Sequence, residues 1–153
     1  MTVRLDDIDW AILEHLQGEG RVGFRELGRR VGLSAPAVTA RVRRLEAAGV
    51  ISGYRAVVDP QHLGLPVLAF VRVSSAGGVE ADEEFVREAS RLPEIREVHR
   101  VTGAETYLLR VLVTSVQDLE RILRPLWRFG DTVTGVVMST AVADRPLTRS
   151  LVE

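Results

Sequence analysis

Gly32-Leu33-Ser34 separates two helix-periodic segments by only three residues, and no other feature so restricts how the first part of this chain can fold. On the near side, Leu27 and Val31 fall on the inner face of a helix over about 24–31, with Gly23 at the N-cap and Glu26 at the capping-box position. On the far side, Ser34 suits an N-cap, Pro36 fits only a first turn, and Gly49 suits the C′ position. Ahead of both, Leu5, Ile8, Ile12 and Leu16, with Leu13, predict a helix over about 6–17, capped by Asp6 and stopped by Gly18 and Gly20. Three short helices whose last two are joined this tightly make a helix-turn-helix.

The next run, Val50 to Val58, is β-prone and split by Ser52-Gly53, so it reads as a small wing or as a strand leading out. Asp59-Pro60, Gly64 and Pro66 then punctuate a linker, which puts the boundary near 60: a helix-turn-helix domain with its linker over 1–60 and a second domain over 61–153. The second part reads as strand Val67–Ser74, helix Glu80–Leu92, strands Ile95–Thr102 and Thr106–Val113 about a Gly103 turn, helix Val116–Trp127 and strand Val133–Ala143. That βαββαβ order is the ferredoxin-like split βαβ, so the expected class is α+β. In 67–73 one strand face carries Val67, Ala69, Val71 and Val73 and the other Leu68, Phe70 and Arg72. In 107–113 the faces are Tyr107, Leu109, Val111 and Val113 against Leu108, Arg110 and Leu112. Two helices cover only one face, so the second apolar face predicts a cover, most economically a second copy of the chain.

With 153 residues, 46% hydrophobic and 27% charged, the chain has the balance of a folded protein large enough for one ordinary domain or two small ones. It has no cysteine, which excludes disulfides, thiol catalysis and thiolate metal sites and suits a reducing cytoplasm. No signal-like apolar core opens it, and no apolar run approaches the ~20 residues of a membrane span. The net charge of −1 hides an uneven distribution. Residues 21–55 hold eight arginines against Glu26 and Glu46, which marks either a local anion partner, nucleic acid foremost, or a solvated helical face.

The third helix separates these readings. Val38, Val42 and Leu45 form its inner stripe, while Pro36, Ala40, Arg43 and Ala47 lie opposite with Arg44 beside them. Small residues let a helix approach base edges, and Arg binds guanine or phosphate. The expected DNA-contacting set is Arg29, Arg30, Ser34, Pro36, Thr39, Ala40, Arg43 and Arg44.

Enzyme readings find no support. His15, His62 and His99 fall in three different elements without metal-ligand spacing, and neither G-x-x-x-x-G-K-[ST] nor G-x-G-x-x-G occurs. Asp82, Glu83 and Glu84 read as first-turn acids that suit the helix dipole, and Trp10, Trp127 and Phe129 as packing residues. No cofactor and no metal is expected.

Several strings at fixed relative spacing resemble the Lrp/AsnC (feast/famine) transcription regulators. They are Leu5-Asp6-x-x-Asp9-x-x-Ile12-Leu13, Arg21-Val22, Leu27-Gly28-Arg29-Arg30-Val31-Gly32-Leu33-Ser34, Val42-Arg43-Arg44-Leu45-Glu46-x-x-Gly49-Val50-Ile51-x-Gly53-Tyr54 and Val101-Thr102-Gly103-x-x-x-Tyr107-Leu108-Leu109. The resemblance implies a sequence-specific regulator of double-stranded DNA with an N-terminal winged helix-turn-helix. It further implies a C-terminal domain that dimerises through its sheets, assembles into tetramers, octamers or larger rings, and takes a small effector, usually an amino acid, between dimers. Carried over by residue, the effector segment is His99, Thr102, Gly103, Ala104, Glu105, Thr106 and Tyr107. The family often has Asp where this chain has Ala104 and Thr106, so only Glu105 remains to meet an ammonium group. Trp127-Arg128-Phe129-Gly130-Asp131 likewise replaces the family's Leu-Pro-Gly-Val. A DNA-organising protein without effector, and a small-molecule enzyme on the ferredoxin-like half, are the alternatives from other classes.

Overall fold

The computed structural model describes residues 3–75 and 77–152. Asp6 starts α1 (Asp7–Gly18) through a capping box: its carboxylate accepts from the Asp9 N–H at 2.8 Å, and the Asp9 carboxylate accepts from the Asp6 N–H at 3.1 Å. α2 spans Phe24–Val31 and stops at Gly32, whose φ of +73° places it in the left-handed region that glycine tolerates. Gly23 caps α2 without a side-chain bond, so the expected capping box is absent and Glu26 turns to arginines instead. α3 spans Ala35–Ala47, with the Ser34 hydroxyl accepting from the Ala37 N–H and Gly49 following in the left-handed region. Ile12, Leu27, Val38, Val42 and Leu45 are completely buried and form the core of this unit.

The run 50–58 pairs with no strand among the described residues. It is used otherwise: the Val50 and Ile51 N–H groups close the end of α3 on the Leu45 carbonyl, and the Tyr54 hydroxyl donates to Glu46. The linker contains a 3-10 turn, Pro60–Leu63, held by the Asp59 carboxylate.

The second unit orders β1 (Val67–Ser75), α4 (Val79–Ser90), β2 (Ile95–Arg100), β3 (Tyr107–Val113), α5 (Val116–Leu123) and β4 (Gly130–Val136). Its antiparallel sheet runs β2-β3-β1-β4. Ala69, Val71 and Val73 of β1 and Tyr107, Leu109, Val111 and Val113 of β3 point into one core with Phe85, Ala89, Leu119, Ile122 and Leu126. The helix expected to run to Trp127 stops at Leu123 and tightens into a 3-10 turn over Arg124–Phe129, because Pro125 has no N–H to continue the ladder. Within that turn Leu126 and Phe129 are buried, but Trp127 is half exposed rather than packed.

Strand β4 begins earlier and ends earlier than its β-propensity implies. Gly130 already pairs with Ser75, and pairing with β1 runs out at Val136 opposite Ala69. The Val137 N–H still donates to the Leu68 carbonyl at 2.9 Å, and the chain leaves this unit after Ala141. The chain divides into Met1–Val57 with Val142–Glu153 and a separate unit Val58–Ala141, so the C-terminal segment groups with the first unit instead of completing a 61–153 domain.

Candidate functional site

The outer side of α3 exposes Pro36, Ala40, Arg43, Arg44 and Ala47, while Thr39 is half-buried with its hydroxyl donating to the Ala35 carbonyl at 2.8 Å. The arginines of the basic block differ sharply in how far they are committed. Arg29 forms a fork on Glu26 at 2.7 and 2.9 Å, and Arg30 bridges Glu26 and Glu19 at 2.9 and 2.8 Å. Hydrogen bonds from Arg29, then Arg30, hold the Glu26 carboxyl down to about 2. Arg41 donates to both Asp6 and Asp9, and Arg44 donates to Asp9. Arg44, expected as a flank contact, is therefore also a structural tie between α3 and α1. Arg43 and Arg25 have no ion pair among the described residues, which leaves their full charge toward solvent.

Arg25 was not singled out by the sequence. It shares a shallow concavity with Arg29, Ser34 and Ala35, where the start of α3 presents free N–H groups. Its position four residues before Arg29 was the available signal, since i and i+4 share a helix face.

In the second unit the turn between β2 and β3 is closed by the Val101 N–H donating to the Thr106 carbonyl at 3.0 Å. Gly103 has φ +126°, and Thr102, Gly103 and Ala104 are exposed. Thr106 is tied to β1 twice: its N–H donates to the Val73 carbonyl at 2.8 Å and its hydroxyl accepts from the Ser75 N–H at 3.2 Å. The seven expected effector residues do not form one cluster. Tyr107 is buried on the helix-covered side and stacks on Phe85 at 4.4 Å. His99 pairs in register with Leu108 on the opposite face, where its Nε2 lies 3.0 Å from Glu97. The hydrogen bond with His99, then the charge of Arg110, lowers the Glu97 carboxyl from its usual range. Glu105 is bound to Arg72 at 3.0 Å, so the one acid of the turn is already partnered.

Asp82, read from the sequence as a dipole acid, is buried and forms a polar centre beside the turn. It accepts from the Ser75 hydroxyl at 3.0 Å and from Arg100 at 2.5 Å, and the Arg100 guanidinium stands 5.9 Å over the Tyr107 ring. Burial, reinforced by the charge of Asp82, raises the Tyr107 hydroxyl pKa. Glu84 of the same helix pairs with Arg128 at 2.8 Å. The other sheet face carries Leu68, Phe70, Arg72, Leu108, Arg110 and Leu112, with Phe70 and Val133 substantially exposed.

Residues 5–46 match the AsnC-type helix-turn-helix domain, and residues 68–147 match the Lrp/AsnC ligand binding domain. The chain belongs to the Lrp/AsnC family. It is a DNA-binding transcriptional regulator with an N-terminal helix-turn-helix and a C-terminal ligand-binding domain, as the resemblance implied. It is 38% identical over 138 residues to the HTH-type transcriptional regulator LrpC of Bacillus subtilis, which covers 90% of this chain and 94% of that protein. It is 40% identical over 139 residues to the leucine-responsive regulatory protein of Escherichia coli K12, covering 88% of this chain and 85% of the relative. Among solved structures, a transcriptional regulator of Neisseria meningitidis in complex with L-Met superposes with a TM-score of 0.90 at 29% identity, over 98% of this chain and all of that one. Among the described residues no helix is long and apolar enough to cross a membrane.

Proposed function

We propose that this regulator reads DNA through the exposed face of α3 and takes a small amino-acid-like effector at the 101–106 turn, between dimers, with no catalytic activity of its own and a cytoplasmic site of action. The observation that carries the DNA half is Arg43, an unpaired guanidinium among small exposed residues on the outward side of the helix that follows the Gly32 turn. Ser34, Pro36, Thr39 and Ala40 line the same approach, and Arg29, Arg30 and Arg44 flank it as backbone contacts that must share their charge with Glu26, Glu19 and Asp9. Arg43→Ala is expected to weaken binding to a selected duplex by about 1–3 kcal/mol and to relax base preference, read by titration against specific and random duplexes at fixed salt. Equal affinity of the variant for both would take α3 out of the interface.

The effector half is supported by the Gly103 turn, whose exposed backbone can meet a carboxylate, and by Arg100, which flanks it with a side chain 67% exposed. L-Met is the first probe because the Neisseria relative carries it. The partnering of Glu105 by Arg72 favours a second reading, a DNA-organising protein that senses no amino acid. A thermal-shift panel of amino acids separates the two: a ligand present at ~100 times its Kd adds about 2.7 kcal/mol to the folded state. Light scattering on the same samples reads assembly. A dimer through the face of Leu68, Phe70, Leu108 and Leu112 is the expected unit, tetramers or octamers the expected products, and a monomer at tens of micromolar would rule that face out as an interface.

A further inference from the structure

Gln17 sits on the last turn of α1 with its amide in solvent, yet both ends of that amide are used. Its Nε2 donates to the Leu147 carbonyl at 2.9 Å, and its Oε1 accepts from the Leu147 N–H at 2.8 Å. A carboxamide that meets both backbone groups of one residue fixes the register of an extended segment, because a shift of one residue turns those groups away. Two residues on, Arg149 reaches Asp7 in the first turn of the same helix. Asp7 and Gln17 stand roughly 15 Å apart along α1, at ~1.5 Å per residue. The step through extended Thr148 to Arg149, which opens a 3-10 turn over Arg149–Leu151, plus the arginine side chain bridges that span, so the segment runs back along the helix from its C-terminal toward its N-terminal end. Leu147 also enters the wall of an apolar groove of about 750 Å³, together with Trp10, Leu13, Leu16, Ile51 and Tyr54.

We propose that residues 142–152 form a strap that completes the DNA-binding unit, the outer face of α1 being a seat for the chain's own C-terminal peptide. The chain then passes between its two units at two places, 57–58 and 141–142, and the second passage ends on α1. That helix is also the one whose Asp9 holds Arg41 and Arg44 of α3. A displacement at the end of β4 would thus reach the helix that orients the DNA-reading helix without passing through the 58–66 linker. The seat stands independently of any effector; only its use in regulation rests on the proposed function.

Hydrogen exchange on the full chain, with the free 142–152 peptide as the baseline, tests the seat. The Leu147 amide should exchange at least ~10-fold more slowly in the protein than in the peptide. Gln17→Leu should return it to within about twofold of the peptide rate while the α1 amides keep their protection, which shows that the helix itself stays folded. A Leu147 amide that exchanges at the peptide rate in the wild-type chain overturns the proposal, and so does protection that Gln17→Leu leaves unchanged.

Discussion

Asp9→Ala should cost the DNA-binding unit about 2–4 kcal/mol. The Asp9 carboxylate is fully buried and is the meeting point of three donors: Arg41 at 2.8 Å, Arg44, and the Asp6 N–H at 3.1 Å. Removing it leaves Arg41 with Asp6 alone and Arg44 without its carboxylate, beside a small void. Breaking a buried ion pair from one side typically costs ~3–5 kcal/mol, and the figure is reduced here because the Arg41 and Arg44 side chains, 28% and 52% exposed, can recover water. Asp9→Asn should not rescue, since its amide N–H₂ would point at donors. Urea unfolding followed by Trp10 fluorescence in a Trp127→Phe background reads the loss, and a midpoint equal to wild type would remove the triad from the account. Acid should probe the neighbouring pair. The Asp6 carboxyl is lowered from 3.8 to about 2, first by the hydrogen bond from Arg41 and then by that from the Asp9 N–H. A carboxyl depressed in the folded state contributes stability above its ordinary pKa and loses it as pH falls, so this contribution disappears between 3.8 and about 2. The Trp10 signal should therefore begin to move within that window.

The triad also marks where the sequence stops being legible. Helical periodicity placed Val38, Val42 and Leu45 inward because burial of one helix face repeats every few residues and needs no knowledge of the partner. Ser34, Gly32 and Gly49 were readable for the same local reason: each satisfies a backbone requirement of its own turn. Asp9 and Arg44 lie 35 residues apart and meet only because α1 packs by α3, so the ion pair that ties Arg44 to α1 left no local trace. In the second unit the βαββαβ succession of elements was readable from β-prone runs and helical periodicity, but the effector segment was carried over as a continuous string. A strand reverses its side chains at every residue, which is why His99 and Tyr107 stand on opposite faces and why Arg100 and Asp82, one on a strand and one on a helix, gather beside Tyr107 instead. The apolar content of Val133–Ala143 implied a long strand; the paired strand ends at Val136, and only the Val137 N–H carries one bond further, to the Leu68 carbonyl at 2.9 Å. The return of the C-terminal segment to α1 rests on an amide-to-backbone contact at a sequence distance of 130, beyond any pattern a single sequence shows.

Gly28→Ala sets two magnitudes against each other and has a definite sign. Gly28 lies inside α2, where replacing glycine by alanine ordinarily stabilises a helix by about 1 kcal/mol. Here a Cβ would come within 2.5 Å of the Leu33 carbonyl oxygen, closer than a side-chain carbon can sit to backbone. That carbonyl cannot simply step aside. Leu33 donates its N–H to the Gly28 carbonyl at 2.8 Å, and the next residue is the Ser34 cap from which α3 begins. Relief requires the Gly32-Leu33-Ser34 connection to open and the start of α3 to move away from α2, which costs about 1–3 kcal/mol of packing. Packing outweighs propensity, so the variant should be less stable than wild type, and its DNA affinity should fall because Ser34, Pro36 and Arg43 are displaced together relative to Arg25 and Arg29. Gly18→Ala at the end of α1, where nothing stands within 4 Å of the added methyl, supplies the control and should be neutral or stabilising. Urea unfolding and DNA titration of the two variants read the contrast. A Gly28→Ala protein as stable as Gly18→Ala would mean that the close approach of α2 to the turn does not set the angle between the two helices.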